Sequence, residues 1–500
     1  MSKTDKSQEF SKLRSIFWPI HGFEMKKFFS MSMLMFCILF VYTTVRDLKD
    51  IFIQKYAVFA GTELISVLKL WFVFPISILV AGVFSALVGK LGMKKTFYII
   101  TSFYALFYFV FALVLFPNVD RIHMSAATIT SMRASWPAFF YYIIPCLGNW
   151  SYTCFYILAE IWGSLAISSL FWHFANEVTK KTEVRRFYAL YSFIGNIAVL
   201  LAGTYLFNMA KTTGERFNGN VKVLISLAGL FCIATMLIYY YINKTIVTDP
   251  TMCEPQTKKK KKAKVGFFQG LKILVSNPYL FLIFLLPLCY GIGINLYEGV
   301  FKALMTSVLS VQEMTKFQGF LSIFTAIFTV VLTIVSTNIL RKCKWRISAL
   351  VTPFALLILG VLFFVLMFGN RSTDTKFLGM SLPLVAVWVG LFGNAFDKGI
   401  KYCLFDSTKS MAYIPLDDDI KAQGQGAVEI VGGRGGKAGG ALIQFVLLNL
   451  IAPASVLLSH ISVIFIFFIL LLIVWIWAVF SLSNKYEAKI KEHDIKNVSN

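Results

Sequence analysis

The chain has 500 residues, of which 57% are hydrophobic and only 15% are charged, and its mean hydropathy is +0.71. A soluble domain carries roughly 25% charged residues, so water is excluded as the solvent for most of this surface. The formal charge of +23 could suit a nucleic-acid-binding protein, but the basic residues fall mostly in short loops between apolar runs, and we expect no nucleic-acid partner.

Apolar runs of about 20 residues recur along the chain, and each is long enough to cross a hydrocarbon core of ~30 Å. The runs are continuous rather than alternating, which indicates helices and excludes a barrel. Twelve transmembrane helices are predicted, at residues 28–46, 64–88, 96–116, 143–174, 187–208, 221–242, 278–300, 317–339, 347–368, 380–404, 425–449 and 455–482. The predicted partner of this surface is therefore a lipid bilayer.

Basic loops alternate with loops of low charge, which predicts that both termini are cytoplasmic. The first span lacks a small-residue cleavage site and is expected to be retained, in a bacterial cytoplasmic (inner) membrane. The chain then divides into five segments: a cytoplasmic N-terminal segment 1–27, a six-helix half 28–242, a basic cytoplasmic linker 243–277 with an amphipathic stretch, a second six-helix half 278–482, and a cytoplasmic tail 483–500.

The two predicted halves share sequence features in corresponding places. The second span of each half is followed by a basic turn, GKLGMKK in the first half and LRKCKWR in the second. The fifth spans both contain small-residue strings, SFIGNIA and VGGRGGKAGG. The predicted fold class is therefore an all-α membrane protein with twelve transmembrane helices in two six-helix halves, similar to major-facilitator-type transporters, whose substrate site lies between the halves.

Charged side chains inside spans are expensive, which makes each of them a candidate site residue. Arg46 and Lys49 lie in the string VRDLKD that closes the first span, although an interfacial cluster of internal ion pairs would also explain them. Glu160 lies well inside the fourth span, where its carboxyl group must either find a basic partner on another helix or stay protonated. Glu298 and Lys302 are one turn apart near the end of the seventh span, where a self-contained ion pair is the alternative interpretation.

The tenth and eleventh spans carry the largest group of charges. Asp397, Lys398 and Lys401 interrupt the tenth, and Arg434 and Lys437 lie among six glycines in the eleventh. The string is not a P-loop, because it lacks the required first glycine and the final hydroxyl residue. Close helix packing explains the glycines but not the cations, which are suited to holding phosphate. No metal cluster, cofactor motif or catalytic set is found, so transport is predicted rather than enzymatic activity.

Several long strings resemble the non-mitochondrial ATP/ADP translocases, the nucleotide transporters of intracellular bacteria and plastids. The strings are WPIHGFEMKKF, YTTVRDLKD, FYILAEIWGS, SLFWHFANEVTK, NLYEGVFK, TNILRKCKW, FDSTKSMAYIPLD and VEIVGGRGGKAGG, and together they cover essentially the whole chain. The resemblance implies exchange of external ATP for internal ADP. It also implies that Lys49, Glu160, Glu298 and Lys437 are critical for transport. We expect the phosphates to bind the cations Arg46, Lys49, Arg434 and Lys437, and Glu160 and Glu298 to pair with these cations when the site is empty.

Two positions depart from the usual pattern of this family, which has a hydroxyl residue at the position of Ala438 and a larger residue at that of Gly435. The missing hydroxyl puts one possible phosphate contact in doubt. Two relatives of the ATP/ADP exchangers therefore remain as alternatives, a proton-coupled nucleoside-triphosphate symporter and an NAD/ADP exchanger. The carrier is expected to be monomeric.

Overall fold

A computed structural model of the protein describes residues 20–249, 251–253, 274, 276–369, 376, 377, 379–416 and 428–498. Most of the predicted N-terminal segment lies outside the described residues. So do the lysine run 258–262 and most of the amphipathic stretch of the predicted linker. The helices of the first half are α1 Met25–Ile51, α2 Glu63–Val67, α3 Phe74–Val110, α4 Val119–Ile122, α5 Ala126–Ser135, α6 Ile143–Gly148, α7 Trp150–Trp162, α8 Trp172–Val178, α9 Lys181–Met209 and α10 Gly214–Thr245.

The second half repeats this pattern of long helices. Its helices are α11 Pro278–Val308, α12 Val311–Lys342, α13 Trp345–Gly369, α14 Leu382–Ile400, α15 Asp406–Met411, α16 Gly435–Val446 and α17 Ile461–Val498, and its strands are β1 Lys376–Phe377 and β2 Met380–Ser381. Local chemistry sets several of these boundaries. The Asn277 side chain accepts hydrogen bonds from the first backbone N–H groups of α11, and Ser310 and Glu313 form a reciprocal cap at the start of α12.

In the described part of the chain, nine helices are long and apolar enough to cross a membrane. One of them, Glu63–Ile122, is 60 residues long and contains both predicted spans 64–88 and 96–116. It bends at Gly92, whose φ of 78° is costly for a residue with a side chain. The predicted spans 380–404 and 425–449 are not among the nine. The protein is a helical membrane protein, and the total of twelve spans stays a prediction.

Several helices contain π-helical segments, in which the backbone bonds span five residues. These segments are Phe52–Tyr56, Leu68–Val73, Phe111–Leu115, Gly163–Phe171, Lys401–Phe405, Val428–Arg434 and Leu447–Ile451. Such segments are uncommon and occur frequently at functional sites. Three of these segments involve a predicted site residue. Two contain a predicted cation, Lys401 or Arg434, and the segment that begins at Gly163 follows closely after Glu160.

The first helix of each half lies at the centre of that half. In the first half α1 packs against α7, α9 and α10, and in the second half α11 packs against α16 and α17. The outer surface is apolar: Leu113, Leu237 and Ile358 are each about two-thirds exposed, at 65%, 64% and 65%. Large apolar surfaces of this kind are solvated by lipid rather than by water. The arrangement supports two equivalent halves, as the basic turns predicted.

The two halves contact each other closely along α9 and α12. A Cβ atom added at Gly203 would lie 2.8 Å from the carbonyl oxygen of Gly319, and one added at Gly319 would lie 2.7 Å from that of Gly203. The absence of both side chains is therefore what allows these two backbones to touch. A larger residue at either position would push the halves apart.

The halves also meet at the end of the molecule where α1 and α11 finish, which we call the closed end. The Lys55 ammonium donates to the carbonyl oxygens of Thr306 and Leu309 at 2.7 and 2.6 Å. The Glu63 carboxylate accepts a hydrogen bond from the backbone N–H of Leu457 at 3.0 Å. Each contact joins one half to the other, so a path through the protein must open here before a solute can pass this end.

Candidate functional site

The predicted charges of the first span form buried ion pairs in the first half. The Lys49 ammonium lies 2.8 Å from Asp50 Oδ1 and 3.0 Å from Glu160 Oε1. It also lies 4.1 Å from the centre of the Tyr156 ring. Lys49 and Asp50 are both buried, which excludes the interpretation of this string as an interfacial cluster. Of the two outcomes that its position allowed, Glu160 has the first, a basic partner on another helix.

One ion pair connects the two halves. The Lys302 ammonium lies 2.9 Å from Asp50 Oδ2, so that each oxygen of the Asp50 carboxylate contacts a different lysine. Glu160, Lys49, Asp50 and Lys302 therefore form a continuous ion-pair chain from α7 through α1 to α11. Pairing of this kind offsets part of the cost of burying these charges.

The ion pair between Glu298 and Lys302 that their spacing allowed is not formed. Lys302 pairs with Asp50 across the halves, and the Glu298 carboxylate lies 3.2 Å from the Lys398 ammonium of α14. The physical reason is the burial of Asp50, which is 4% exposed and needs a second cation more than the better-solvated Glu298 does. The interpretation of Glu298 and Lys302 as a self-contained pair is therefore wrong.

A second contact between the halves involves the first span. Arg46 donates to Asp47 Oδ1 at 2.9 Å and to Ser322 Oγ at 2.7 Å, and Ser322 in turn donates to Asp47 Oδ2 at 2.6 Å. Ser322 belongs to α12, so this triad joins α1 to the second half one turn before the Asp50–Lys302 pair. The guanidinium of Arg46 thus already has partners on both halves.

The cations of the glycine-rich helix have no carboxylate partner in the described part of the chain. Arg434 donates to the Ser77 carbonyl at 3.0 Å and to Ser164 Oγ at 2.9 Å, both in the first half. The Lys437 side chain is exposed to solvent. The helix α16 that carries Lys437 packs against α11, which carries Glu298, and against α2 of the first half, so Lys437 lies on an element between the two halves.

Helix packing explains Gly432, Gly436 and Gly440 among the glycines around these cations. A Cβ added at Gly436 would lie 2.7 Å from the Leu288 carbonyl and 3.0 Å from Gly291 Cα, and one added at Gly440 would lie 2.7 Å from Asn295 Cβ. The glycines therefore let α16 approach the backbone of α11, which leaves the cations for another role. Ala438, where a hydroxyl was expected, is itself buried, at 8% exposure.

Two secondary candidates lie outside the ion-pair chain. Asp397 is buried and accepts a hydrogen bond from the Tyr290 hydroxyl at 2.9 Å. Lys401 lies 3.1 Å from Asp406, five residues further along the chain. Of the charged residues in this part of the chain, Lys398 is the one that contacts a predicted site residue, Glu298.

Sequence reasoning missed three residues of this region, which are Asp50, Ser322 and Lys69. Asp50 was visible in the string VRDLKD, but its partner Lys302 could not be identified without the tertiary structure. Ser322 gave no signal, because a lone serine in a span is unremarkable. Lys69 lies inside the second predicted span, and the cost argument that selected Glu160 would also have selected it.

The long apolar helices, with buried ion pairs between the two halves, define a multi-pass helical membrane protein. Two solved structures share the fold at 11% identity. A D-xylose-proton symporter covers 91% of this chain and 97% of its own with a TM-score of 0.54. A bacterial homologue of the iron transporter ferroportin, in an inward-facing state, covers 93% and 100% with a TM-score of 0.54. At this identity the likeness establishes the fold and nothing about the cargo.

Sequence comparison identifies the family. Residues 3–486 match the model of the TLC ATP/ADP transporter family, and the chain belongs to this family. Among curated relatives, ADP,ATP carrier protein 1 of Rickettsia bellii is 37% identical, covering 98% of this chain and 99% of the relative. ADP,ATP carrier protein 1 of Rickettsia prowazekii is 36% identical, covering 98% of this chain and 99% of the relative. The protein of the same name from Chlamydia pneumoniae is 35% identical, covering 99% of this chain and 98% of the relative. The family predicted from the sequence strings is confirmed.

Proposed function

We propose that this protein is an antiporter that exchanges external ATP for internal ADP by alternating access and leaves both nucleotides chemically unchanged. Family membership and full-length relatives named ADP,ATP carrier proteins support the substrates. One observation carries the mechanism. In the described part of the chain, Arg434 and Lys437 lack a carboxylate partner, and they lie beside an ion-pair chain that joins the halves through Asp50 and Lys302.

The nucleotide phosphates bind Arg46, Lys49, Arg434 and Lys437 in this proposal. A cation 4 Å from a phosphate oxygen contributes about 4 kcal/mol at an effective dielectric of ~20, before desolvation is subtracted. Arg434 and Lys437 can bind at once, because they have no carboxylate to release. Lys49 must exchange Glu160 for phosphate, which makes it the group whose pairing depends on whether the site is occupied.

Glu160 and Glu298 act as charge-pairing groups of the empty site. Each lies near an ammonium in the structure, Glu160 at 3.0 Å from Lys49 and Glu298 at 3.2 Å from Lys398. When phosphate competes for these lysines, the pairs rearrange and the contacts between the halves change. A ligand can shift such an equilibrium only through its different affinities for the two states. Uncompensated cations resist closure of an empty cleft, so exchange is obligate.

The predicted membrane placement belongs to the same proposal. The carrier lies in the bacterial cytoplasmic membrane with both termini in the cytoplasm, and it works as a monomer. The alternation of basic and weakly charged loops supports this orientation. With this orientation the closed end, where Lys55 contacts Thr306, faces outward.

A proton-coupled nucleoside-triphosphate symporter is the second candidate, and one observation favours it. Asp397 is 1% exposed, and in the described residues its carboxylate has no ion pair and only the Tyr290 hydroxyl as a hydrogen-bond partner. A buried carboxyl group without a cation can carry a proton. Glu160 and Glu298 are less suited to that role, because each already pairs with a lysine.

The test is uptake of labelled ATP into proteoliposomes preloaded with ADP, with NAD or with nothing. We expect rapid uptake against internal ADP and little into empty vesicles. Uptake that ignores internal ADP but collapses with an uncoupler would replace the antiporter with the symporter, and preference for internal NAD would indicate an NAD/ADP exchanger.

The site assignment is tested on the same vesicles. Lys437→Ala should lose most exchange, and Lys437→Arg should retain more because it keeps the charge. Full exchange by the alanine variant, with normal amounts of protein in the vesicles, would remove Lys437 from the site.

A further inference from the structure

We propose that Lys69 is a further phosphate-contacting residue of the carrier, one that contacts the nucleotide directly. This inference rests on the proposed function, because it assigns an additional cation to the same nucleotide site. Lys69 lies in the π-helical segment Leu68–Val73, which continues α2. π-Helical segments often re-aim side chains at functional sites.

The position of this segment places Lys69 in the cleft between the halves. Leu68–Val73 packs against α7, which carries Glu160, and against α16, which carries Lys437. Lys69 thus lies among the charged groups of both halves rather than against the lipid.

Lys69 differs in its contacts from Lys49, Lys302 and Lys398, each of which forms an ion pair. In the described part of the chain it makes no hydrogen bond and no ion pair, although it is half-buried. The two nearby glutamates are already taken, Glu160 by Lys49 and Glu298 by Lys398. A lysine at this depth that has no anion is costly, and its neighbours of like charge add to the cost.

A multiply charged phosphate group would relieve this cost. Like Arg434 and Lys437, Lys69 has no carboxylate partner in the described residues. The helix α16, which carries Lys437, packs against α2 and against the π-helical segment that carries Lys69. An ammonium acts as a mobile point charge, so it suits a polyphosphate chain whose position changes between nucleotides. The expected contact therefore strengthens with the number of phosphates.

The experiment measures nucleotide binding by the purified full-length carrier with isothermal titration calorimetry. Lys69→Ala should weaken ATP binding roughly 10- to 100-fold, as loss of a charge-assisted contact does. The loss should be smaller for ADP and smallest for AMP. Lys69→Arg should retain most of the affinity, and Lys69→Gln serves if the alanine variant does not fold.

Lys90→Ala is the matched control. Lys90 lies on α3, which continues from the same π-helical segment, but its side chain is exposed at the surface. It should bind ATP like the unmodified carrier. Wild-type affinity in Lys69→Ala, or an equal loss for ATP, ADP and AMP, would overturn the assignment. If the unmodified carrier binds none of the three nucleotides, the proposed function itself fails.

Discussion

Neutralising Asp50 is the sharpest test of how the two halves are coupled. Both oxygens of this carboxylate contact a lysine, Lys49 at 2.8 Å and Lys302 at 2.9 Å. In Asp50→Asn, Lys49 keeps its contact with Glu160, but Lys302 loses its only ion pair in the described residues. The main consequence is an unpaired ammonium between the halves.

The size of the effect follows from burial. Removing one partner of a buried ion pair costs about 3–5 kcal/mol. Because Asp50 and Lys302 belong to different halves, this cost applies only to conformations in which the closed end is shut. A loss of about 3 kcal/mol would favour opening of that end by roughly 100-fold. Removing both charges in Asp50→Asn/Lys302→Gln leaves no unpaired ammonium and should restore most of the closed population.

The assay measures labelling at the closed end. Thr62 is 2% exposed, so a cysteine placed there, in a chain whose eight native cysteines are replaced, should react with an impermeant maleimide only on opening. Asp50→Asn should raise the labelling rate strongly. Glu183→Gln is the control, because it breaks the buried pair with Lys27, at 2.6 Å, within one half. Unchanged labelling in a folded Asp50→Asn carrier would refute the coupling.

Two further predictions concern contacts that depend on close approach. The hydroxyl oxygens of Thr62 and Thr306 lie 3.1 Å apart across the closed end. Oxidation of a Thr62→Cys/Thr306→Cys carrier to the disulfide should therefore stop exchange, and reduction should restore it. Exchange that continues in the cross-linked form would show that this end need not open. Gly436→Ala should lower the melting temperature, since its Cβ would lie 2.7 Å from the Leu288 carbonyl and overpacking costs about 1–3 kcal/mol. Gly433→Ala, with open space around it, should melt like the unmodified carrier, and equal melting of both variants would contradict the packing argument.

The amino-acid sequence was sufficient to predict that the protein lies in lipid, that it is helical and that it belongs to this family. Apolar length and the charge of loops are local properties, so the helical membrane architecture could be predicted from them. The cost of burying charge is also local, and it selected Lys49, Glu160 and Glu298 before any partner was known. The same argument applied to every span would have included Lys69.

The partners of the buried charges could be identified only from the packing of the helices. Helix spacing favoured Glu298 with Lys302, yet Lys302 contacts Asp50 and Glu298 contacts Lys398, about one hundred residues away. The physical reason is that ion pairing depends on which helices are adjacent and on which carboxylates are most deeply buried. Neither property can be predicted from the local pattern of residues. The location of the closed end also depends on which helices are adjacent, so it could not be predicted either.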